Sequence, residues 1–292
     1  MRAGADASEV QVPAAVERAT RRLQAVGIES ARLDAQLMLA EAAHVDRAAL
    51  VAGSVALSPE TLDRFNTMVA RRVRREPLAY ILGRREFYSL EFEVNRDVLI
   101  PRPHTEPVVD AALAFIAGRP DAAVLEIGTG PGPIAIAIAA NAPQASVVAV
   151  DISGPALEVA CRNAARNRVS DRIKFVRADV FLPLDGAREL GRFDLVVSNP
   201  PYIVDSHLAS LEPDVREFEP RIAIAGGADG LDFFRRIASG LRSHLRAGGM
   251  VVLEVGDGQD NAVRTILADA GMRPADVIND LDGIARVVTA RL

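Results

Sequence analysis

Apolar residues recur at two different periods along this 292-residue chain, and the change of period divides it. From residue 13 to residue 70 the spacing is three to four. Ala14, Val16, Ala19, Leu23 and Val26 form one face, Leu33, Leu37, Leu39 and Ala40 a second, and Leu62, Phe65, Met68 and Val69 a third. That period predicts amphipathic helices. Ser30 and Ser58-Pro59-Glu60 are the expected starts, the latter with proline in the first turn. The product is a small helical bundle of about 75 residues. Between Glu86 and Ile100 the pattern alternates: Phe87, Leu90, Phe92, Val94, Val98 and Ile100 are separated by polar residues, with Asn95-Arg96-Asp97 as a turn. This predicts a β-hairpin. Pro101 to Pro107 then opens a helix running to about Ala117, with Thr105 as its N-cap.

Beyond that point strand and helix patterns alternate. Ala123 to Ile127, Ser146 to Asp151, Ile173 to Arg177, Asp194 to Ser198 and Met250 to Val255 read as strands. Helices are expected near 132–141, 154–167, 230–246 and 258–270. Such alternation predicts an α/β fold with a parallel sheet, right-handed crossovers and ligands at the carboxyl ends of the strands. Pro274 to Ile278 and Ile284 to Ala290 read as a closing strand pair.

Composition narrows the possibilities. The chain is 49% hydrophobic and 25% charged, as an ordinary globular protein is. No apolar run approaches 18 residues, and Met1 to Gln11 carries acidic residues without an apolar stretch. Neither a membrane span nor a signal peptide is expected, and the expected location is the cytoplasm. Cys161 is the single cysteine, which excludes an intramolecular disulfide and a cysteine metal cluster. The four histidines, at 44, 104, 207 and 244, lack metal-ligand spacing, so no metal is expected. A net charge of −5 argues against stable nucleic-acid binding driven by phosphate neutralisation. The run Arg71-Arg72-Val73-Arg74-Arg75 is either a solvated helix end or a patch contacting phosphate or a partner.

Candidate chemistry gathers at predicted strand ends. Glu126-Ile127-Gly128-Thr129-Gly130-Pro131-Gly132-Pro133 lies where the first parallel strand turns into its helix. Glycines there let backbone amides approach a ligand, and the helix N-terminus favours a carboxylate or phosphate. The Gly-x-Gly-x-Gly spacing differs from the dinucleotide fingerprint. Asp151 ends the second strand about 20 residues later, where a carboxylate can take both hydroxyls of a ribose, so an adenosyl cofactor is indicated. Asp179, at the third strand end, is placed to accept from an adenine amino group or to cap a turn. Glu126 is placed to receive a cofactor ammonium or to serve structure alone. The fourth strand ends in Ser198-Asn199-Pro200-Pro201-Tyr202. Residues before proline are held extended and proline has no N–H, so this is a rigid bend presenting carbonyl oxygens, an amide and an aromatic face.

These segments resemble the PrmC/HemK family, the protein-(glutamine-N5) methyltransferases that modify class I peptide-chain release factors. The resemblance covers nearly the whole chain. It is carried by Arg32-Leu33-Asp34-Ala35, Arg71-Arg72, Glu76-Pro77-Leu78-Ala79-Tyr80-Ile81-Leu82-Gly83, Arg85-Glu86-Phe87-Tyr88 and Leu99-Ile100-Pro101-Arg102-Pro103. It continues through the glycine loop, Asp151, Asn199-Pro200-Pro201-Tyr202-Ile203, Phe218-Glu219-Pro220, Gly226-Gly227, Asp229-Gly230-Leu231 and Leu253-Glu254-Val255-Gly256. Asn-Pro-Pro-Tyr is shared with adenine and guanine methyltransferases of nucleic acids, so it fixes the reaction type more than the substrate.

The resemblance implies a class I S-adenosylmethionine-dependent methyltransferase domain (Rossmann-like) at 101–292, a hairpin linker at 85–100 and a helical substrate-recognition domain at 1–84. It implies cofactor contacts from Glu126, Gly128, Thr129, Gly130, Gly132, Asp151, Ile152, Asp179 and Asn199. Asn199, Pro200, Pro201 and Tyr202 would hold the target amide, with Asn199, Pro200 and Tyr202 serving the reaction and Glu219 carried over weakly. The partners would be class I release factors; an N-methyltransferase of nucleic-acid amino groups, or of another protein or small molecule, is the alternative. At position 104 the family usually has an acidic residue where this chain has His104. That change either alters the cofactor pocket, adding pH sensitivity, or is a tolerated surface substitution.

Overall fold

The computed structural model describes residues 11–52, 55–183, 190–280 and 282–292. They form two compact units: the chain through Gly83 joined by Pro213–Phe218, and Arg84–Glu212 with Glu219–Leu292.

The first unit is helical, built from α1 (Val12–Gln24), α2 (Ala31–Ala43), α3 (Arg47–Val51), α4 (Pro59–Val73), α5 (Leu78–Leu82) and, from far down the chain, α9 (Pro213–Phe218). Leu23, Ala35, Met38, Leu39, Phe65 and Val69 meet in its core, where each large side chain withdrawn from water contributes about 1.5–3 kcal/mol. Ser58 caps α4 by accepting from the Thr61 N–H at 3.1 Å. Ser30 instead donates its hydroxyl to Asp34 at 2.7 Å and caps nothing. The expected faces are turned slightly: Ala14 is exposed and Ala15 buried, while Leu33 lies outside and Asp34 inside. Asp34 is tolerated there because Arg72 Nε donates to it at 2.7 Å. Within the arginine run, Arg74 is exposed at the C-terminal end of α4, while the other three arginines are held by carboxylates of the same unit. Arg71 pairs with Glu76, Arg72 with Asp34 and Asp214, and Arg75 with Asp214, the last two contacts at 2.6 and 2.5 Å.

The second unit opens with a hairpin, β1 (Arg84–Phe87) and β2 (Leu90–Glu93), in antiparallel register with Phe87 opposite Leu90. Its turn is Tyr88-Ser89, both at positive φ (52° and 59°), and not Asn95-Arg96-Asp97. Two successive left-handed residues match the twist of the strands. Asn95 closes a separate turn, its side chain accepting from the Asp97 N–H and its carbonyl from that of Val98. A 3₁₀ turn, Pro103–Thr105, leads into α6 (Glu106–Ile116). Thr105 has helical φ and ψ and makes no side-chain cap, contrary to expectation.

The sheet then forms from β3 (Ala123–Ile127), β4 (Ser146–Asp151), β5 (Ile173–Asp179), β6 (Leu182–Pro183), β7 (Phe193–Ser198), β8 (Leu245–Glu254), β9 (Arg273–Asn279) and β10 (Ala285–Arg291). Among the described residues its order is β6-β5-β4-β3-β7-β8-β10-β9. β3, β4, β5, β7 and β8 run parallel, while β10 is antiparallel to both of its neighbours, forming the expected closing pair. Strands buried on both faces read as near-continuous apolar runs, which is why β3, β4 and β7 match expectation so closely. β8 begins five residues early, at Leu245, because Arg246 to Gly249 continues it through a register shift.

The helices are α7 (Pro133–Asn141), α8 (Gly154–Arg166), α10 (Asp232–His244) and α11 (Asp260–Asp269). One core, with Val108, Ile134, Ile136, Ile138 and Val147, lies under α6 and α7; the other, with Leu125, Val196, Phe234, Ile237 and Leu241, lies under α10 and α11. The chain leaves β3 toward β4 and β5 and later returns to β7 on the other side of β3. That reversal is a topological switch point, and a crevice opens there beyond the carboxyl ends of the strands. No helix among the described residues is long and apolar enough to cross a membrane.

Candidate functional site

The strand register brings the candidate residues to one rim: Ile127 is level with Val150 on β4 and with Ser198 on β7. Above it lies a cavity of about 330 Å³. Gly128, Gly130, Asp151, Ile152, Asp179, Asn199, Pro200 and Pro201 all line it. Its walls also include Val98 and Leu99 after the hairpin, Pro220, Ile222 and Ala223 from the loop beyond β7, and Phe233 and Arg236 from α10. Glu126, Thr129, Gly132 and Tyr202 are not among its lining residues.

The glycine loop works differently from the simplest reading of its sequence. The N–H groups of Gly128 and Thr129 both donate to the Val150 carbonyl, at 2.8 and 2.9 Å, and that of Gly132 donates to Thr129. The Gly130 N–H donates to Asp151 Oδ2 at 2.8 Å. These hydrogen bonds hold the loop in place. Gly128 and Gly130 have positive φ (73° and 54°), and a Cβ on either would meet nothing within 4 Å, so side chains there would project into open space. Gly132 is a packing position, where a Cβ would lie 2.9 Å from Ile136 Cδ1.

A carboxylate of the protein itself, that of Glu126, lies at the N-terminus of α7. Glu126 Oε2 accepts from the Thr129 hydroxyl at 2.6 Å and from the Ala135 N–H at 3.0 Å. Burial pushes the Glu126 carboxyl up to about 8, opposed by those two hydrogen bonds and reinforced by the nearby Asp151 charge. Asp151 is raised too, again chiefly by burial, against the opposing pull of the Ser153 and Gly130 N–H groups. Asp179 Oδ1 accepts from Arg236 at 2.5 Å, and the Arg236 guanidinium lies 5.3 Å from the centre of the Phe233 ring.

At the end of β7, Ser198 donates its hydroxyl to the Ile127 carbonyl at 2.7 Å, tying β7 to β3. The Asn199 Nδ2 group donates to Thr105 Oγ1 at 3.2 Å. Tyr202 turns its hydroxyl toward Glu254 Oε1, 3.2 Å away, and its carbonyl accepts from Gln259 at 3.0 Å. Burial, followed by the Glu254 charge and hydrogen bond, raises the Tyr202 phenol well above its ordinary range. Glu254 is fully buried, and its Oε2 makes no hydrogen bond among the described residues. His104 Nε2 stands 3.4 Å from Glu254 Oε1, and His104 is not among the residues lining the cavity. Glu219 is buried and pairs with Arg102.

Sequence reasoning did not foresee Arg236, Phe233, Ile222, the Thr105 contact or the role of Glu254 beneath Tyr202. Glu254 alone left a local signal, an acidic residue closing an otherwise apolar strand end. No group of His, Cys, Asp and Glu among the described residues is arranged to hold a metal.

Residues 14–83 match the family model described as the PrmC N-terminal domain, and residues 110–211 match that of the methyltransferase small domain. The fold agrees with a crystal structure of a methyltransferase from Pyrococcus furiosus, at TM-score 0.51 and 20% identity over 77% of this chain and 98% of that one. It agrees also with the hMettl16 catalytic domain, at TM-score 0.57 and 19% identity over 76% and 81% of the two chains. The second unit is therefore a methyltransferase of the Rossmann-like class.

Among curated proteins, the release factor glutamine methyltransferase of Cereibacter sphaeroides is 43% identical over 95% of this chain and 97% of its own length. That of Geobacter sulfurreducens is 43% identical over 91% of each. The chain belongs to the release factor glutamine methyltransferase family.

Proposed function

We propose that this protein transfers a methyl group from S-adenosylmethionine to the side-chain amide nitrogen of the glutamine in the Gly-Gly-Gln motif of class I peptide-chain release factors. The observation that carries the reading is that Asn199, Pro200 and Pro201 line the same cavity as Gly128, Gly130, Asp151 and Asp179. The residues present suit the cofactor: a carboxylate at the end of β4 for ribose hydroxyls, a second at the end of β5 for an adenine amino group, and Ile152 and Phe233 as apolar surface. Gly128 and Gly130 leave clear the space that side chains would fill.

S-adenosylmethionine supplies the methyl group as an electrophile on a sulfonium. A carboxamide nitrogen is a weak nucleophile, so the protein's work is orientation. Asn199 Oδ1 and the Pro200 carbonyl each accept one N–H of the target, aiming its nitrogen and favouring the positive charge that develops there. Tyr202 does not line the cavity; its hydroxyl is directed to Glu254, so it supports the bend rather than touching the target amide. Its raised phenol pKa keeps it protonated at neutral pH, so it is no base. None is needed before transfer, because the nitrogen's proton becomes acidic afterwards. A neutral asparagine provides the acceptor without adding a buried charge.

In this reading residues 1–84 recognise the folded release factor, residues 85–100 link, residues 101–292 carry the chemistry, and the protein works in the cytoplasm without stable nucleic-acid binding. The test is incubation with labelled S-adenosylmethionine and, in parallel, release factor, ribosomal RNA and DNA, followed by mass mapping. Label on the Gly-Gly-Gln glutamine supports the proposal; label in nucleic acid alone overturns it.

A further inference from the structure

Two walls of the cavity come from stretches of chain that no strand pairing joins. One is the glycine loop, which contributes Gly128 and Gly130; the other is the segment after the hairpin, Asp97, Val98 and Leu99. The hairpin forms a two-stranded sheet separate from the main one. A site lined by two such segments is only as precise as the link between them.

We infer that Asn163 is that link, a positioning residue that sets the spacing between the glycine loop and the wall after the hairpin, and through it the affinity for S-adenosylmethionine. This rests on the proposal that the cavity holds that cofactor. Asn163 lies on α8 and is fully buried. Its Nδ2 donates to the Pro131 carbonyl at 2.9 Å and to the Glu93 carbonyl at 3.0 Å. Its Oδ1 accepts from the Glu93 N–H at 2.6 Å. Main-chain carbonyls only accept and a main-chain N–H only donates, so these partners admit one orientation of the amide. Pro131 follows Gly130 directly, and Glu93 closes β2 shortly before Asp97. One amide therefore holds both walls close to where each meets the cavity. Its bonds to Glu93 replace those that a neighbouring strand would supply to that residue. The helix also packs against the loop, since a Cβ on Gly132 would lie 3.4 Å from Ala160 Cβ. Other contacts of α8 fasten the hairpin alone: Arg162 pairs with the Glu93 carboxylate at 2.8 Å, and Asn167 donates to the Glu91 carbonyl at 3.1 Å.

The test is calorimetric titration with S-adenosylhomocysteine, the product left after methyl transfer, beside steady-state methylation of release factor. Asn163→Ala removes every one of these hydrogen bonds, and Asn163→Asp keeps the volume but sets an oxygen against the Pro131 and Glu93 carbonyls. Both are expected to raise the Kd about tenfold or more, and the KM for S-adenosylmethionine with it. With Asn199 and Pro200 untouched at the end of β7, kcat at saturating cofactor is expected to stay within about threefold. Arg162→Met loosens the hairpin at the surface and leaves the glycine loop alone, so its Kd is expected to stay within about twofold. Thermal denaturation fixes a temperature at which each variant is folded, and the titrations are run there; a purely structural role then leaves the Kd of the folded molecules unchanged. The inference is overturned by a Kd within about twofold of wild type in folded Asn163→Ala, by an equal rise in Arg162→Met, or by failure of both Asn163 variants to fold at any temperature. Wild-type protein that does not bind S-adenosylhomocysteine removes the cofactor reading itself, whereas wild-type binding that survives both Asn163 substitutions removes only this inference.

Discussion

Gly226 supports the catalytic bend from behind, and replacing it by alanine is a sharp test of how tightly that bend is held. Its φ is not positive, so the constraint is steric rather than conformational. A Cβ there would lie 2.7 Å from Tyr202 Cα, 2.8 Å from the Tyr202 carbonyl carbon and 2.9 Å from Gly230 Cα. Non-bonded carbons normally sit about 3.5–4.0 Å apart, so close to 1 Å of movement is required. All three neighbours are main chain, and no rotamer change relieves the overlap. The segments are also stitched together, with the Gly226 N–H donating to the Ile203 carbonyl at 2.8 Å and the Ile203 N–H to that of Ile224 at 3.0 Å.

Overpacking of this kind costs about 1–3 kcal/mol, or roughly 2–10 °C in melting temperature for a unit of this size. Moving Asn199 and Pro200 by even part of that distance lowers kcat by up to about a hundredfold. Thermal denaturation followed by circular dichroism, together with methylation of release factor, reads both effects. Gly154→Ala is the control: Gly154 opens α8, has no positive φ, and a Cβ there meets nothing within 4 Å. It is expected to be neutral or to stabilise by about 0.4–1 kcal/mol. A Gly226→Ala enzyme with unchanged melting temperature and unchanged kcat would refute the steric argument.

Other outcomes follow from the same geometry. Asp151→Ala is expected to weaken cofactor binding by at least tenfold, roughly one charge-assisted hydrogen bond, and an unchanged calorimetric Kd would count against the ribose assignment. Glu126 bears on stability against pH. Its carboxyl is raised to about 8 in the folded protein, so between its ordinary range and that value the native state holds the extra proton and stability falls as pH rises. Glu126→Gln removes that slope, on the order of a few kcal/mol across pH 5 to 8; parallel wild-type and variant curves in denaturant titrations would contradict it. Arg72→Met leaves Asp34 buried without its charge partner and is expected to cost about 3–5 kcal/mol. Adding Asp34→Leu should recover most of that loss, and strictly additive losses would show the pair is uncoupled.

Much of the second unit was legible because its physics is local. Strands buried on both faces must be apolar throughout, so β3, β4 and β7 stood out from their neighbours and Asp151 and Asn199 were marked by where those runs stop. The hairpin turn was missed because Tyr88-Ser89 lacks the Asn-Gly chemistry that normally announces two left-handed residues, while Asn95-Arg96-Asp97 looks like a turn and makes a different one. The first unit misled for another reason. Asp34 is inside because Arg72 is, and Arg72 is inside because Asp34 and Asp214 receive it; separations of 38 and 142 residues leave no periodic trace. Thr105 was placed correctly at a helix start and given the wrong task, since the partner that occupies its hydroxyl lies 94 residues away.

Asp214 also carries a consequence for how this protein is made. Arg72 and Arg75 both donate to it, so the helical unit is completed by a residue synthesised long after its own helices have left the ribosome. At about 5–20 residues per second the 142 intervening residues take roughly 7–28 s to appear. During that interval the Asp214 contacts of Arg72 and Arg75 have yet to form, while Arg72 already has Asp34 and the Glu76 carbonyl within reach and Arg75 the Val26 carbonyl. A fragment ending at Gly83 would remain in that state permanently. The two units are thus unequal in their independence: the first is contiguous in space but not in time, and it reaches its final form only once most of the second has been translated.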